Sequence, residues 1–176
     1  MTVHLPEGWG QQDWKSMVAL VKDRVKDKYG AEMSAASEMD DPKKGLMLLT
    51  TRPKSSAGGP MLMILTVELP PDMPAARPED FLVLATMPLV QNKFTISRQP
   101  EPFKVGGKDF ARVELLSPDQ KTTETMIFSI TKNHALGFIF VGSDEGRTLC
   151  YEVLKTVTFA DSETKPAVSQ PSPATK

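Results

Sequence analysis

Gly106-Gly107-Lys108, within PFKVGGKDFARVEL (residues 102 to 115), is the stretch whose residue types most suggest phosphate chemistry. A phosphate loop of the Walker type needs G-x-x-x-x-G-K-[S/T] between a strand and a helix, so that backbone N–H groups and a helix N-terminus face the phosphates. Here Lys108 is followed by Asp109, whose charge repels phosphate, and KDFARVELL reads as a strand. Two adjacent glycines between strands are instead a favoured two-residue hairpin loop, because both residues take positive φ without steric cost. The expectation is a tight turn with positive φ at Gly106 and Gly107.

The other chemistry-bearing residues do not converge. There are two histidines, His4 and His134, without the i, i+4 pairing of a zinc helix. His134 falls in KNH (132 to 134), which reads as a hairpin tip, and His4 stands on a short N-terminal strand before Pro6. Glu38, Asp40 and Asp41 lack the spacing of a calcium loop and run straight into Lys43-Lys44, so they read as a solvated loop. No serine stands in G-x-S-x-G. Cys150, the only cysteine, cannot form an intrachain disulfide and falls on a helical apolar stripe, where a buried and inert thiol is expected. Ten methionines are scattered without an M-x-x-M cluster and read as core filling. TRPKSSAGGP (51 to 60) keeps a functional expectation: a loop carrying Arg52 and Lys54 between two strands is a place where a partner protein is contacted.

A chain of 176 residues with 21 Lys and Arg against 22 Asp and Glu, net charge −1, has no excess charge to attract nucleic acid or an anionic membrane. No stretch approaches the roughly 20 continuous apolar residues of a membrane-spanning helix. MTVHLPEGWG lacks the charged and apolar regions of a signal peptide. The chain as given is therefore expected in the cytoplasm, or outside it if a leader has been removed.

The elements that must position these residues follow from period and punctuation. A strand is expected at Thr2 to Leu5, with the Trp9 ring folding back over the core. Trp14, Met17, Val18, Val21 and Val25 recur at helical spacing between an Asp13 cap and Gly30, which predicts a helix over 12 to 29. LMLLTT (46 to 51) and MLMILTVEL (61 to 69) read as neighbouring antiparallel strands, and their lack of strict alternation implies cover on both faces. Pro78, Glu79 and Asp80 suit a helix N-terminus, with Phe81, Leu84, Ala85 and Pro88 expected on one face and Pro88 expected to kink or end the helix. KFTISRQ, FKV, KDFARVELL, ETMIFSIT and LGFIFVG are strands. A last helix is expected from Asp144 to about Lys155, with Leu149, Cys150, Val153 and Leu154 as its apolar stripe. Residues 161 to 176, rich in Pro, Ser, Thr and Ala, read as a disordered tail after a single domain at 1 to 160. The fold class is α+β: an antiparallel sheet with helices packed on both faces.

This order, with LPEGW (Leu5 to Trp9), the strand pair at 46 to 69, VGGKDFARVEL, MIFSITKNHALGFIFV and a closing VLKTVTF (Val153 to Phe159), resembles the Mog1/PsbP-like families, bacterial members included, over nearly all of residues 1 to 160. The resemblance implies an α/β/α sandwich and mostly non-catalytic roles. The eukaryotic nuclear member resembles a Ran GTPase-binding factor, the photosynthetic members are extrinsic subunits supporting photosystem II, and many bacterial relatives are exported or lipid-anchored. The chain differs from the photosynthetic members in its short N-terminus and proline-rich tail. It implies no catalytic residues. The functional expectation is a non-enzymatic binding or accessory domain, a monomer or weak dimer without cofactor, acting on a protein partner through loops and one sheet edge. The alternative is a small-molecule or lipid carrier with an apolar pocket between sheet and helix, lined by Met63, Phe128 and Phe138.

Overall fold

The computed structural model describes residues 1–11, 45–53, 59–69, 77–131 and 133–159. Seven strands and two helices lie within them: β1 (Trp9–Gln11), β2 (Gly45–Pro53), β3 (Met61–Glu68), α1 (Pro78–Gln91), β4 (Thr95–Val105), β5 (Lys108–Leu116), β6 (Thr123–Thr131), β7 (His134–Gly142) and α2 (Asp144–Lys155). The helix expected over 12 to 29, the acidic loop with Glu38, Asp40 and Asp41, and the tail at 161 to 176 lie outside the described residues.

The strands form one sheet in the order β1-β2-β3-β7-β6-β5-β4, and every neighbouring pair is antiparallel. β4 to β7 form a meander of hairpins, and the long-range pairing of β3 with β7, from Met61↔Val141 to Glu68↔His134, joins it to the N-terminal strands. The expected pairing of the two apolar runs is β2 with β3, with a bulge between Met47 and Leu49. At the N-terminus the chain departs from expectation. Thr2 makes only an isolated bridge to Thr158, and the first strand begins at Trp9. The His4 N–H donates to the Thr156 hydroxyl oxygen (3.0 Å), and that hydroxyl donates to the His4 carbonyl (3.1 Å), so this segment is tied to the residues that follow α2 rather than to the sheet.

Side chains alternate across the sheet into two cores. One holds Leu62, Ile64, Phe110, Ile127, Phe138 and Phe140 with Cys150, Val153 and Leu154 of α2. The other holds Leu65, Val113, Leu115, Met126, Phe128 and Ile139 with Leu82 of α1. Trp9 is buried in the first, as its position after the turn implies. α2 begins where the sequence places it, because the Ser143 side chain accepts from the Gly146 N–H and Asp144 and Glu145 sit in the positive first turn. Its inward stripe is Gly146, Cys150, Val153 and Leu154, whereas Leu149 stands 41% exposed, one helical step outside.

α1 corrects two expectations. It runs through Pro88 to Gln91, and its buried residues are Leu82 and Thr86, not Leu84 and Pro88. Pro88 and Leu84 both face water, so the N–H that proline removes leaves the Leu84 carbonyl on the solvent side.

Gly106 and Gly107 join β4 to β5 with φ of +54° and +78°, closing the Val105↔Lys108 pair as expected of a glycine hairpin. Gly106 is also a close approach: a Cβ there would lie 2.6 Å from the Val157 carbonyl and 2.9 Å from the Phe159 ring, whereas Gly107 faces open space. Gly107→Ala is therefore expected to cost about 1 kcal/mol, the left-handed penalty alone. Gly106→Ala should cost about 2 kcal/mol or more, because the steric contact adds to that penalty. Urea unfolding of the two variants checks this, and equal losses would remove the close approach as a cause.

Candidate interaction surface and the polar sites beside it

The alternation that buries Phe110 of β5 also turns Arg112 and Glu114 toward α2. Register then sets β4's Glu101 opposite Arg112 and Arg98 opposite Glu114, across two bulges that bring the four into one patch. Glu114 is almost fully buried, and its carboxylate accepts from the Tyr151 hydroxyl (2.8 Å) and pairs with Arg147 (2.8 Å) and Arg98 (3.3 Å). Arg112 pairs with Glu101, donates to the Tyr151 oxygen (3.0 Å) and lies 4.7 Å from the Phe103 ring centroid. Arg147 also reaches Asp144 (3.3 Å). Arg98, Arg112 and Arg147 thus meet Glu101, Glu114 and Asp144, three charges of each sign.

Such a set holds β4, β5 and α2 together but offers little to a substrate. Burial, reinforced by the Glu114 hydrogen bond, pushes the Tyr151 phenol up to about 12, so it stays a donor at neutral pH. The Arg112 hydrogen bond holds the Glu101 carboxyl below its ordinary value, which keeps it ionised. Among the described residues, the buried atoms Arg112 Nε and Thr125 Oγ1 have no hydrogen-bond partner. Thr125 stands across from Glu114, so both atoms belong to this patch.

The sequence signal for the patch was present in KDFARVELL, where Arg112 and Glu114 share a face with Phe110. Only the register reveals their partners.

Cys150 is buried, with its thiol pushed by burial up to about 12, in keeping with an inert core cysteine. His134 begins β7 and pairs in register with Glu68 and Thr131. Neither it nor His4 joins a group of three metal-ligating residues among the described residues. Met63 and Phe128 lie with the α1 core, whereas Phe138 lies with the α2 core, so a single pocket lined by all three is not formed. Phe128 packs against Phe81 (ring centroids 5.1 Å) and Phe138 against Phe110 (5.7 Å). Arg52 lies in β2, opposite Gly10 of β1, rather than in the loop that follows; Lys54 lies outside the described residues.

At the end of the sheet, the turn after α1 and the loop between β5 and β6 enclose a cleft of about 610 Å³, lined by Lys93, Phe94, Pro118, Asp119, Glu124 and Val141 among others. Glu124 stands between Leu115 and Val141 in register, and burial pushes its carboxyl up to about 7. Asp119 is held below its ordinary range by the Ser117 hydroxyl and the Lys121 N–H, both of which donate to it.

Among the described residues, most of the exposed large apolar side chains lie on α1. Val83, Leu84, Met87 and Val90 are each 44 to 49% exposed. A groove of about 300 Å³ runs between this face and β4, lined by Val83, Met87, Val90, Ile96 and Pro100 with Thr86 at its base. β4 is the sheet's edge strand, but Pro100 and Pro102 remove two N–H donors and two register shifts break its line. The opposite edge, β1, is three residues long. Among the described residues, both edges therefore offer little to a further strand.

No described helix is long and apolar enough to cross a membrane. No family model matches the chain, and no curated protein sequence matches it. Among solved structures, the solution structure of cyanobacterial PsbP (CyanoP) from Synechocystis sp. PCC 6803 is similar with a TM-score of 0.51 at 12% identity, over 88% of this chain and 84% of that one. The chain has a PsbP-like α+β fold.

Proposed function

We propose that the chain is a non-enzymatic accessory or binding domain, an α/β/α sandwich that engages a protein partner through the outer face of α1. The observation that carries this reading is the row of four exposed apolar side chains, Val83, Leu84, Met87 and Val90, beside an apolar groove. Contiguous apolar surface of this kind, with the charged Glu79 and Asp80 in the first turn of the same helix, is a usual mark of an interaction site. The protected edges favour side-chain docking on the helix over strand addition. The sandwich reading rests on the two cores, one with α1 and the other with α2. Arg52, at the far end of the sheet in β2, and Lys54 after it are proposed as a secondary, charge-based contact.

The non-catalytic reading is supported by protonation states. The Tyr151 phenol and the Cys150 thiol both sit near 12, too high for a base or nucleophile at neutral pH. The buried Glu114 carboxylate is taken up by ion pairs with Arg98 and Arg147.

A photo-crosslinking residue placed at Leu84 or Met87 is expected to capture one discrete protein from extract of the source cells. The same residue at exposed Glu152 on α2 is expected to capture none. Adding Val83→Glu and Val90→Glu should reduce the yield at least tenfold, and Arg52→Glu with Lys54→Glu by a smaller factor. Equal labelling from all three positions, or no adduct from α1, would overturn the reading.

A further inference from the structure

The cleft at the end of the sheet lies beyond the last turn of α1, where it shares Gln91 with the groove, and apart from the arginine patch; it contains a carboxyl group without a partner among the described residues. Glu124 is placed by β6 between Leu115 and Val141, which gives it apolar neighbours on both adjoining strands. Among the described residues, no hydrogen-bond donor and no cation is paired with it. Its carboxyl is only half-buried and opens onto the cavity, where water or a cationic ligand can satisfy it, and the apolar neighbours that desolvate it favour the cation.

The surroundings restrict what that ligand is. Among the described residues, the charged groups facing Glu124 are Lys93, from the turn between α1 and β4, and Asp119, from the β5–β6 loop, and β7 contributes Val141. Asp119 is occupied by the Ser117 hydroxyl and the Lys121 N–H. Lys93 is exposed, with its backbone at φ +67° and its N–H bonded to the Val90 carbonyl. With Glu124 ionised, the described lining carries two negative charges against one positive, which disfavours an anion. No third His, Cys, Asp or Glu joins the two carboxylates among the described residues, and the other side-chain oxygens of the lining, on Gln91, Asn92, Ser117 and Thr122, are neutral, a set poorer in charge than a hard divalent cation prefers. Walls formed by Phe94, Pro118 and Val141 offer an aromatic face and apolar surface instead.

We infer that this cleft binds a small organic amine, its ammonium group on the Glu124 carboxylate and its apolar body against Phe94, Pro118 and Val141. The ammonium donates charge-assisted hydrogen bonds to the carboxylate. Where Glu124 is protonated before binding, its proton passes to solvent as the cation arrives. Binding is thereby coupled to pH, because only the ionised fraction of the protein is competent.

Benzylamine serves as the probe and benzyl alcohol as its neutral counterpart, titrated into the full chain and followed by amide chemical shifts. Benzylamine is expected to saturate at pH 8, with shifts confined to residues 91 to 94 and 117 to 124. Its affinity should fall about tenfold at pH 6, following the ionised fraction of a group titrating near 7. Glu124→Gln should weaken binding at least tenfold while the variant's amide spectrum stays folded, and benzyl alcohol should bind at least tenfold more weakly than the amine. Benzyl alcohol binding as tightly, unchanged affinity in Glu124→Gln, shifts centred on the α1 face, or no saturation at all would each overturn the assignment.

Discussion

Replacing Glu114 by alanine is expected to destabilise the fold by about 3 kcal/mol, the lower end of what removing one member of a buried ion pair costs. The substitution leaves the Tyr151 hydroxyl without its acceptor and Arg147 without its nearest carboxylate, at 2.8 Å in each case. Arg98 and Arg147 both reach solvent, which lets them rehydrate and keeps the loss from being larger. Arg98→Ala should accordingly cost less than about 1 kcal/mol. Urea unfolding followed by tryptophan fluorescence measures both, since Trp9 is buried in the core that α2 covers. A Glu114→Ala loss below that of Arg98→Ala would mean that the patch is screened by water and does not clamp α2 to the sheet.

The second large effect has the opposite sign. Glu124→Gln should stabilise the protein at pH 8 by up to about 3 kcal/mol and leave it unchanged at pH 4. The folded carboxyl is raised from 4.5 to about 7 by burial, so between those values the folded state holds a proton that the unfolded state has released. Wild-type stability therefore falls as pH rises through this window and levels off above it. Glutamine, which does not ionise, escapes that loss. The figure is a ceiling, because water entering the open cleft reduces the desolvation. Chemical denaturation of both proteins from pH 4 to 8 should give curves that coincide at the acid end and separate as pH rises. Parallel curves would remove the buried carboxyl as the cause.

These two carboxylates, ten positions apart on neighbouring strands, show how environment divides identical chemistry. Glu114 faces α2, where three hydrogen-bonding or ionic partners satisfy it. Glu124 faces the α1 side of the sheet, where Leu115 and Val141 flank it and no partner is found among the described residues. The first serves the architecture, and the second is the group to which the proposed amine would bind. Neither is aimed at the exposed face of α1, so a protein partner there and a small amine in the cleft can be tested separately.

Much of the backbone was legible before the fold was known. The Gly106-Gly107 hairpin, the pairing of β2 with β3, the start of α2 after Ser143 and the burial of Cys150 all follow from residues within a few positions of one another. Positive φ at paired glycines, a serine cap and a 3.6-residue apolar period are local properties, decided by sterics and by hydrogen bonds over a turn or two. The resemblance in element order likewise pointed to the PsbP-like fold.

What failed to show in the sequence was which side of each element faces inward, and what lies across from it. α1 is apolar around much of its circumference, so its composition could not separate the inward Leu82 from the outward Leu84. Met63, Phe128 and Phe138 are equally apolar, and only strand register assigns the first two to one side of the sheet and the third to the other. Arg112 and Glu114 could have been solvent-facing strand residues until α2 brought Arg147 and Tyr151 over them. The sequence by itself determined the Gly106-Gly107 turn, the start of α2 at Asp144 and the succession of strands and helices from β2 onward, because those depend on short-range sterics and local pattern. The tertiary structure alone decided the exposed face of α1, the satisfied Glu114 and the unpartnered Glu124, because burial and pairing are set by residues distant in the chain.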